Sequence, residues 1–421
     1  MKTETDNSVV RWWERAVVAT LLIAALFYAR SAKSAFSPSN TSCPAKTMQA
    51  LARIYMSHGE FDKAESLVDK ALSSVEYKEE SDPASPRYAE ASEEKSSYLI
   101  DLAWVYKNQG RFSEAEKFCR QGLTLQQKLY YKDHPYIAYT QRILGSIYQA
   151  QAKYPQADEA LNNAMTIIRK CHLPDDPAVA PFEVDIARLL VAEGKLEQAE
   201  EIYERSFLLI SDHYGPEHLY TANIFADIAK LYYLQGKLEQ AEAFLNCALS
   251  IQQQVYGDQH HLLIPNRLTL ARIYQAGGDS LQAECVLTKA LLAIETKSQY
   301  AQPLKGEILS ALANLYLEIA RFADAETTCR EAIELFEKSN GLNNEAGIMA
   351  LNCLARLQII QGNYSKGYEL ACSALTKAET VLDPLHPGVA AVNQTLSLAC
   401  EIENAPQQSP SLRLVAKASA N

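Results

Sequence analysis

The chain contains no Cys-x-x-Cys pair, which excludes the zinc knuckle and the thioredoxin-type redox motif together. It has no phosphate-binding glycine loop, no Gly-x-Ser-x-Gly elbow, no His-Glu-x-x-His helix and no paired carboxylates in a recognisable setting. The common hydrolase, nucleotide and metalloprotease chemistries therefore have no written address. Positive charge is also short. Lys and Arg total 40 against 51 Asp and Glu, a net charge of −11, so nucleic acid is not attracted by bulk charge. Glycine and proline number 16 each in 421 residues, too few for a low-complexity chain. The nine cysteines, at 43, 119, 171, 247, 285, 329, 353, 372 and 400, are odd in number and scattered, which favours a reducing compartment. The expectation is a protein that is no enzyme and takes no cofactor or metal. With 48% hydrophobic and 22% charged residues, the chain can bury several cores or one very long one.

Long apolar runs are scarce as well. The exception is residues 16–29, uncharged and almost wholly apolar, between Arg15 and Arg30. Fourteen residues fall short of the ~20 that cross a bilayer as a straight helix and match a signal-peptide core. Trp12 and Trp13 at one end, with Arg11, Arg15 and Arg30 reaching outward, would extend the span. No clean cleavage site follows, since Arg30 and Lys33 stand where small neutral residues belong. The expectation is a single-pass anchor over residues 16–33 behind a flank at 1–15. A cleaved signal peptide and a soluble buried helix are the alternatives. Charge flanking the run places the remainder outside the membrane; the free thiols argue for the cytoplasmic face. A Ser/Pro-containing linker covers 34–45.

From residue 46 onward the chain repeats itself. "QGRFSEAEKFCRQGL" from Gln109, "EGKLEQAEEIYERSF" from Glu193 and "QGKLEQAEAFLNCAL" from Gln235 share one register. The marker alanines are Ala64, Ala115, Ala157, Ala199, Ala241, Ala283 and Ala325, with Gly367 in the eighth place; every step after Ala115 is 42 and the first is 51. Small residues recur seven after the marker and twelve before it. Tyr stands nine before it in six of eight repeats, at 55, 106, 148, 232, 274 and 316. Apolar residues between these points follow the helical period. Two antiparallel helices per repeat are predicted, with small residues where the helices approach and large ones between neighbours.

The spacing of Leu144, Gly145, Tyr148, Ala157, Leu161 and Ala164 resembles the tetratricopeptide repeat. The 42-residue period with its "YGPEH" connector at 214–218 resembles the repeats of kinesin light chain. The resemblance covers residues 46–402 and implies an all-α, right-handed superhelical solenoid of about eight helix-turn-helix repeats, with the first helices lining a concave groove. It says little of function, because this fold mostly presents surfaces. A capping helix is expected after the eighth repeat, a mobile acidic loop at 77–95 in the nine-residue excess between the first two repeats, and a disordered tail at 403–421.

Two candidate chemistries reduce to structure. His134, Asp176, His218, His260, Gln302, Asn344 and His386 form one column, with Pro following at 135, 177, 303 and 387. A polar residue then Pro marks a helix start, so these histidines read as N-caps rather than metal ligands. Cys119 and Cys329 occupy a packing slot that Val68, Leu161 and Leu245 fill elsewhere and read as buried hydrophobes.

The best site is a basic column eleven before the marker: Arg53, Trp104, Ser146, Arg188, Lys230, Arg272, Asn314 and Arg356. Arg142 from the mixed column fifteen before, and Tyr233 beside Lys230, complete the candidate set of Arg53, Trp104, Arg142, Arg188, Lys230, Tyr233, Arg272, Asn314 and Arg356. Such a ladder suits an acidic, extended or helical peptide. The opposing reading is that these cations are solvated or paired with carboxylates. The expected function is a membrane-tethered scaffold that binds a protein or peptide, and not nucleic acid, through its groove. The alternative is an assembly factor using its convex face or self-association; oligomeric state stays open.

Overall fold

The computed structural model describes residues 45–57, 60–76, 86–173, 175–294, 301–338, 342, 344–381 and 387–404. All regular structure among them is helical. Contacts divide the chain into two compact units, Met1–Leu102 and Ala103–Asn421. The first holds α1 (Ala45–Ser57), α2 (Phe61–Glu76) and α3 (Pro86–Asn108) as far as Leu102. In the second, α3 continues into α4 (Phe112–Leu129). There follow α5 (Pro135–Ala150), α6 (Tyr154–Cys171), α7 (Ala180–Ala192), α8 (Leu196–Tyr214), α9 (Leu219–Leu234) and α10 (Leu238–Tyr256). A 3-10 turn at His261–Leu263 leads to α11 (Ile264–Ala276) and α12 (Ser280–Leu292). Then come α13 (Ala301–Glu318), α14 (Phe322–Lys338), α15 (Glu345–Ile360), α16 (Tyr364–Val381) and α17 (Pro387–Asn404). This is the predicted all-α repeat solenoid, with one further helix, α17, after the eighth repeat.

The register explains the packing. Each marker alanine and each alanine twelve before it is fully buried, from Ala52 and Ala64 in the first unit to Ala313, Ala325 and Ala355 in the second. Their missing bulk lets the two helices of a repeat approach. Where the column holds glycine, even alanine is too large. A Cβ on Gly145 would lie 2.7 Å from the Leu161 side chain, and one on Gly367 would lie 2.6 Å from Ile359. Larger residues fill the layers between, as in the clusters around Leu245 and Leu263 and around Leu287, Ile308 and Phe336.

The turn inside each of the seven later repeats, five residues before the marker, needs a left-handed backbone. Gly110, Gly194, Gly236, Gly278 and Gly362 hold φ between +75° and +87° there. Ala152 and Ala320 are forced into the same region at +56° and +59°, which costs a Cβ-bearing residue roughly 1–2 kcal/mol. The turn is closed by a bond from the next N–H back to the −9 carbonyl, such as Arg111 to Tyr106 at 2.8 Å and Lys237 to Tyr232 at 2.9 Å.

The connectors between repeats carry the predicted caps. His134 Nδ1 accepts from the Tyr136 N–H at 3.2 Å and His218 Nδ1 from Tyr220 at 3.2 Å. His260 Nδ1 accepts from Leu262 at 3.3 Å, Asp176 from Ala178 at 2.8 Å and Asn344 from Gly347 at 2.7 Å. The histidine column is helix punctuation, using lone pairs that a metal would need. His386 lies outside the described residues.

Two expectations change. Residues 86–95, assigned to an acidic loop, are the first turns of α3, started by Pro86 where its missing N–H leaves no bond unmade; residues 77–85 lie outside the described set. The expected localisation, a single-pass anchor with extracytoplasmic repeats, is overturned: among the described residues no helix is long and apolar enough to cross a membrane. The helices here carry charge on their outward faces, as amphipathic packing requires. Residues 16–33, the 34–44 part of the linker and the tail from 405 lie outside the described residues.

Candidate partner-binding groove

The basic ladder divides into a neutralised part and an open part. In the first unit, Arg53 Nε bonds Asp101 at 3.1 Å, and Gln49 Nε2 donates to the same carboxylate at 2.6 Å. Burial pushes the Asp101 carboxyl up while Arg53 and Gln49 hold it down.

In the second unit a charge chain crosses three first helices. Arg142 on α5 meets Asp185 on α7 at 3.0 Å. Arg188 on α7 meets Asp185 at 2.8 Å and grips Asp227 on α9 through Nη2 at 2.6 Å and Nε at 2.9 Å. Both aspartates are buried, and Asp227 beside Arg188 raises that guanidinium above its ordinary range. Arg142 also lies over the Phe182 ring at 5.3 Å, and its buried Nε has no partner. Lys107 approaches from α3. Burial pushes its ammonium down, Asp185 opposes this, and Arg188 and Arg142 reinforce it. Lys107, Arg142 and Arg188 thus converge on Asp185 and Asp227.

Further along, the same column is not paired. Among the described residues no carboxylate lies within ion-pair distance of Lys230 on α9, Arg272 on α11 or Arg356 on α15. Lys230 and Arg272 are exposed. The acids nearest in effect are themselves weakened. Burial, with Glu345 adding and Arg272 opposing, pushes Glu307 up to about 7; burial also raises Glu318, against a bond from Gln275 and the charge of Arg356. Asn314 turns its amide onto the Ser310 carbonyl at 3.0 Å. Trp104 and Tyr233 are half-buried. Asn352, buried and one helical turn before Arg356, has an Oδ1 with no donor.

The residues missed from sequence are Lys107, Asp185, Asp227 and Glu307. A signal existed for the aspartates. Asp101, Asp185 and Asp227 all stand fourteen before the marker, three residues from the basic column and on the same helical face. Only the stacking of repeats shows that Arg188 reaches the aspartate of the next repeat.

A second ladder joins neighbouring repeats. The glutamate after the marker bonds the −9 tyrosine of the next repeat: Glu242 with the Tyr274 hydroxyl at 2.9 Å and Glu284 with Tyr316 at 3.0 Å. Arg321 and Lys153 add ion pairs to Glu284 and Glu116, each at 2.9 Å. The recurring Ala-Glu of the sequence is thus a clasp between repeats.

This repeat architecture defines a class, and the comparisons agree. The chain is a tetratricopeptide-repeat protein: residues 97–298 match a family model described as a MalT-like TPR region, and residues 47–83 match a tetratricopeptide repeat. Similar solved structures include BtubC (BKLC) from P. vanneervenii, at 20% identity over 55% of this chain and 90% of that one, with a TM-score of 0.43. A putative kinesin light chain from Podosopora anserina with nearly identical TPR-like repeats is 21% identical over 50% of this chain and 96% of its own, with a TM-score of 0.36. NprR in complex with its cognate peptide NprX is 14% identical over 74% and 84%, with a TM-score of 0.50. At these identities the likeness is one of fold alone. No curated protein is a significant match.

Proposed function

We propose that the chain is a non-catalytic scaffold that captures a protein partner by an acidic, extended segment laid along the first helices of α9, α11, α13 and α15. The observation that carries this reading is the division of the ladder: Arg142 and Arg188 are bound to the chain's own aspartates, while Lys230, Arg272 and Arg356 are not. An acidic peptide would supply the missing carboxylates. The NprR structure holds a peptide, which supports such a use of this fold.

The test is fluorescence anisotropy with a labelled peptide of alternating Glu and Gly. Lys230→Glu/Arg272→Glu/Arg356→Glu should weaken binding by at least tenfold, with circular dichroism showing the helices still folded. Equal binding by this variant rejects the groove.

A further inference from the structure

A different surface carries aromatic boxes that the groove does not use. At the connector into α9, Tyr214 stacks on His218 with centroids 4.9 Å apart, and Tyr220 closes the box edge-on to Tyr214 at 5.2 Å. The connector into α5 repeats it, with Tyr130 on His134 at 4.1 Å and Tyr136 against His134 at 4.9 Å. A partial copy at Tyr256 and His260 precedes α11, where Leu262 stands at the position of Tyr220 and His261 stacks on His260 at 4.5 Å.

The capping role accounts for the histidines and for the ring stacked on each. It does not account for the outer tyrosines. Tyr136 is 51% and Tyr220 52% exposed.

The chain shows what its other tyrosines do. Four of the −9 rings are covered by the chain's own cation five residues on. Arg111 lies 4.1 Å from the Tyr106 centroid, Lys153 5.7 Å from Tyr148, Lys237 5.0 Å from Tyr232 and Arg321 4.3 Å from Tyr316. Among the described residues no cation lies over Tyr214 or Tyr220. None could come from nearby in sequence, since residues 206–229 contain no Lys or Arg but do contain Asp212 and Glu217, both exposed. Exposed electron-rich rings on a connector whose neighbouring charges in sequence are acidic suit a cation.

We infer that the connector edge of the solenoid, centred on Tyr214, His218, Tyr220 and Glu217, is a docking site for a basic, extended segment of a partner protein, an Arg or Lys side chain lying against the exposed Tyr220 ring. Its ligand has the opposite charge to that proposed for the groove, so the two sites are independent.

The probe is a fluorescein-labelled peptide of arginines spaced by Gly-Ser, titrated into the full chain. The control peptide replaces Arg by citrulline, neutral but nearly the same shape. Tyr214→Leu/Tyr220→Leu, which keeps the net charge, should weaken binding about tenfold, as expected from losing ring–cation contacts of ordinary size. Glu217→Gln should weaken it about threefold, and Lys230→Glu/Arg272→Glu/Arg356→Glu should not weaken it. If the double tyrosine variant does not fold, Tyr220→Leu alone decides, because its exposed ring serves no cap. Binding that is unchanged in the tyrosine variants, or shared by the citrulline peptide, overturns the proposal in favour of diffuse attraction to an acidic chain. A concentration-dependent doubling of mass by light scattering, abolished by Tyr220→Leu and without probe binding, would make a second copy the occupant and equally overturn it.

Discussion

Replacing Arg188 by Met tests whether the groove's paired half is structural. The substitution keeps the length of the side chain and removes three bonds, two to Asp227 at 2.6 and 2.9 Å and one to Asp185 at 2.8 Å. Asp185 keeps Arg142 at 3.0 Å. Asp227 is left buried with no cation at bonding distance among the described residues. Breaking a buried pair from one side typically costs about 3–5 kcal/mol. The Arg188 side chain is 41% exposed, so water offsets part of the loss and the expected cost is roughly 2–3 kcal/mol. Urea unfolding, followed by circular dichroism and by tyrosine fluorescence to detect partial unfolding of the array, should show a lower midpoint at unchanged slope. Arg188→Met/Asp227→Asn should recover most of the loss, because the stranded charge is gone. Lys230→Met, in the same column but without an ion pair, should lie within about 0.5 kcal/mol of the parent. An Arg188→Met variant as stable as the parent, or one that Asp227→Asn fails to improve, would refute this account of the ladder. It is also why Arg188 is absent from the groove variant above: its loss would confuse stability with binding.

Other predictions follow from the same geometry. Glu284→Ala removes the bonds to Tyr316 and Arg321 and should cost about 2 kcal/mol, a hydrogen bond to a charged group plus a small exposed ion pair; a double-mutant cycle with Tyr316→Phe should recover most of that as coupling. Ala152→Gly and Ala320→Gly should each stabilise by about 1 kcal/mol by releasing the left-handed strain, read as a higher midpoint. His218→Ala should cost about 1 kcal/mol as a lost N-cap. Glu307, raised from 4.5 to about 7, binds its proton more tightly folded than unfolded. Its contribution to stability is therefore fully present below about 4.5 and is lost as pH rises through 7, by about 3 kcal/mol. Glu307→Gln should flatten that part of the stability–pH curve, and a curve unchanged by the substitution would count against the burial assigned to this carboxyl.

Much of this molecule is periodic, and periodicity is a property of sequence. The marker alanines, the −12 alanines and the turn glycines each recur every 42 residues because each meets the same local demand: close helix approach or a left-handed turn. The N-cap histidines are legible for the same reason, since a cap bonds the N–H two residues on and needs no distant partner. The basic column was legible too, as a row of residue types. Its meaning was not. Arg188 and Lys230 occupy the same repeat position, yet one is tied to Asp227 of the next repeat and the other, among the described residues, has no carboxylate within ion-pair distance. That difference depends on whether the next helix offers a carboxylate at the facing position, and stacking alone determines which residues face each other. The exposure of Tyr220 and the burial that lifts Glu307 belong to the tertiary structure for the same reason, because both are set by what packs around a side chain and not by its place in the repeat. Local geometry repeats with the sequence; charge pairing and solvent access arise only when the repeats meet.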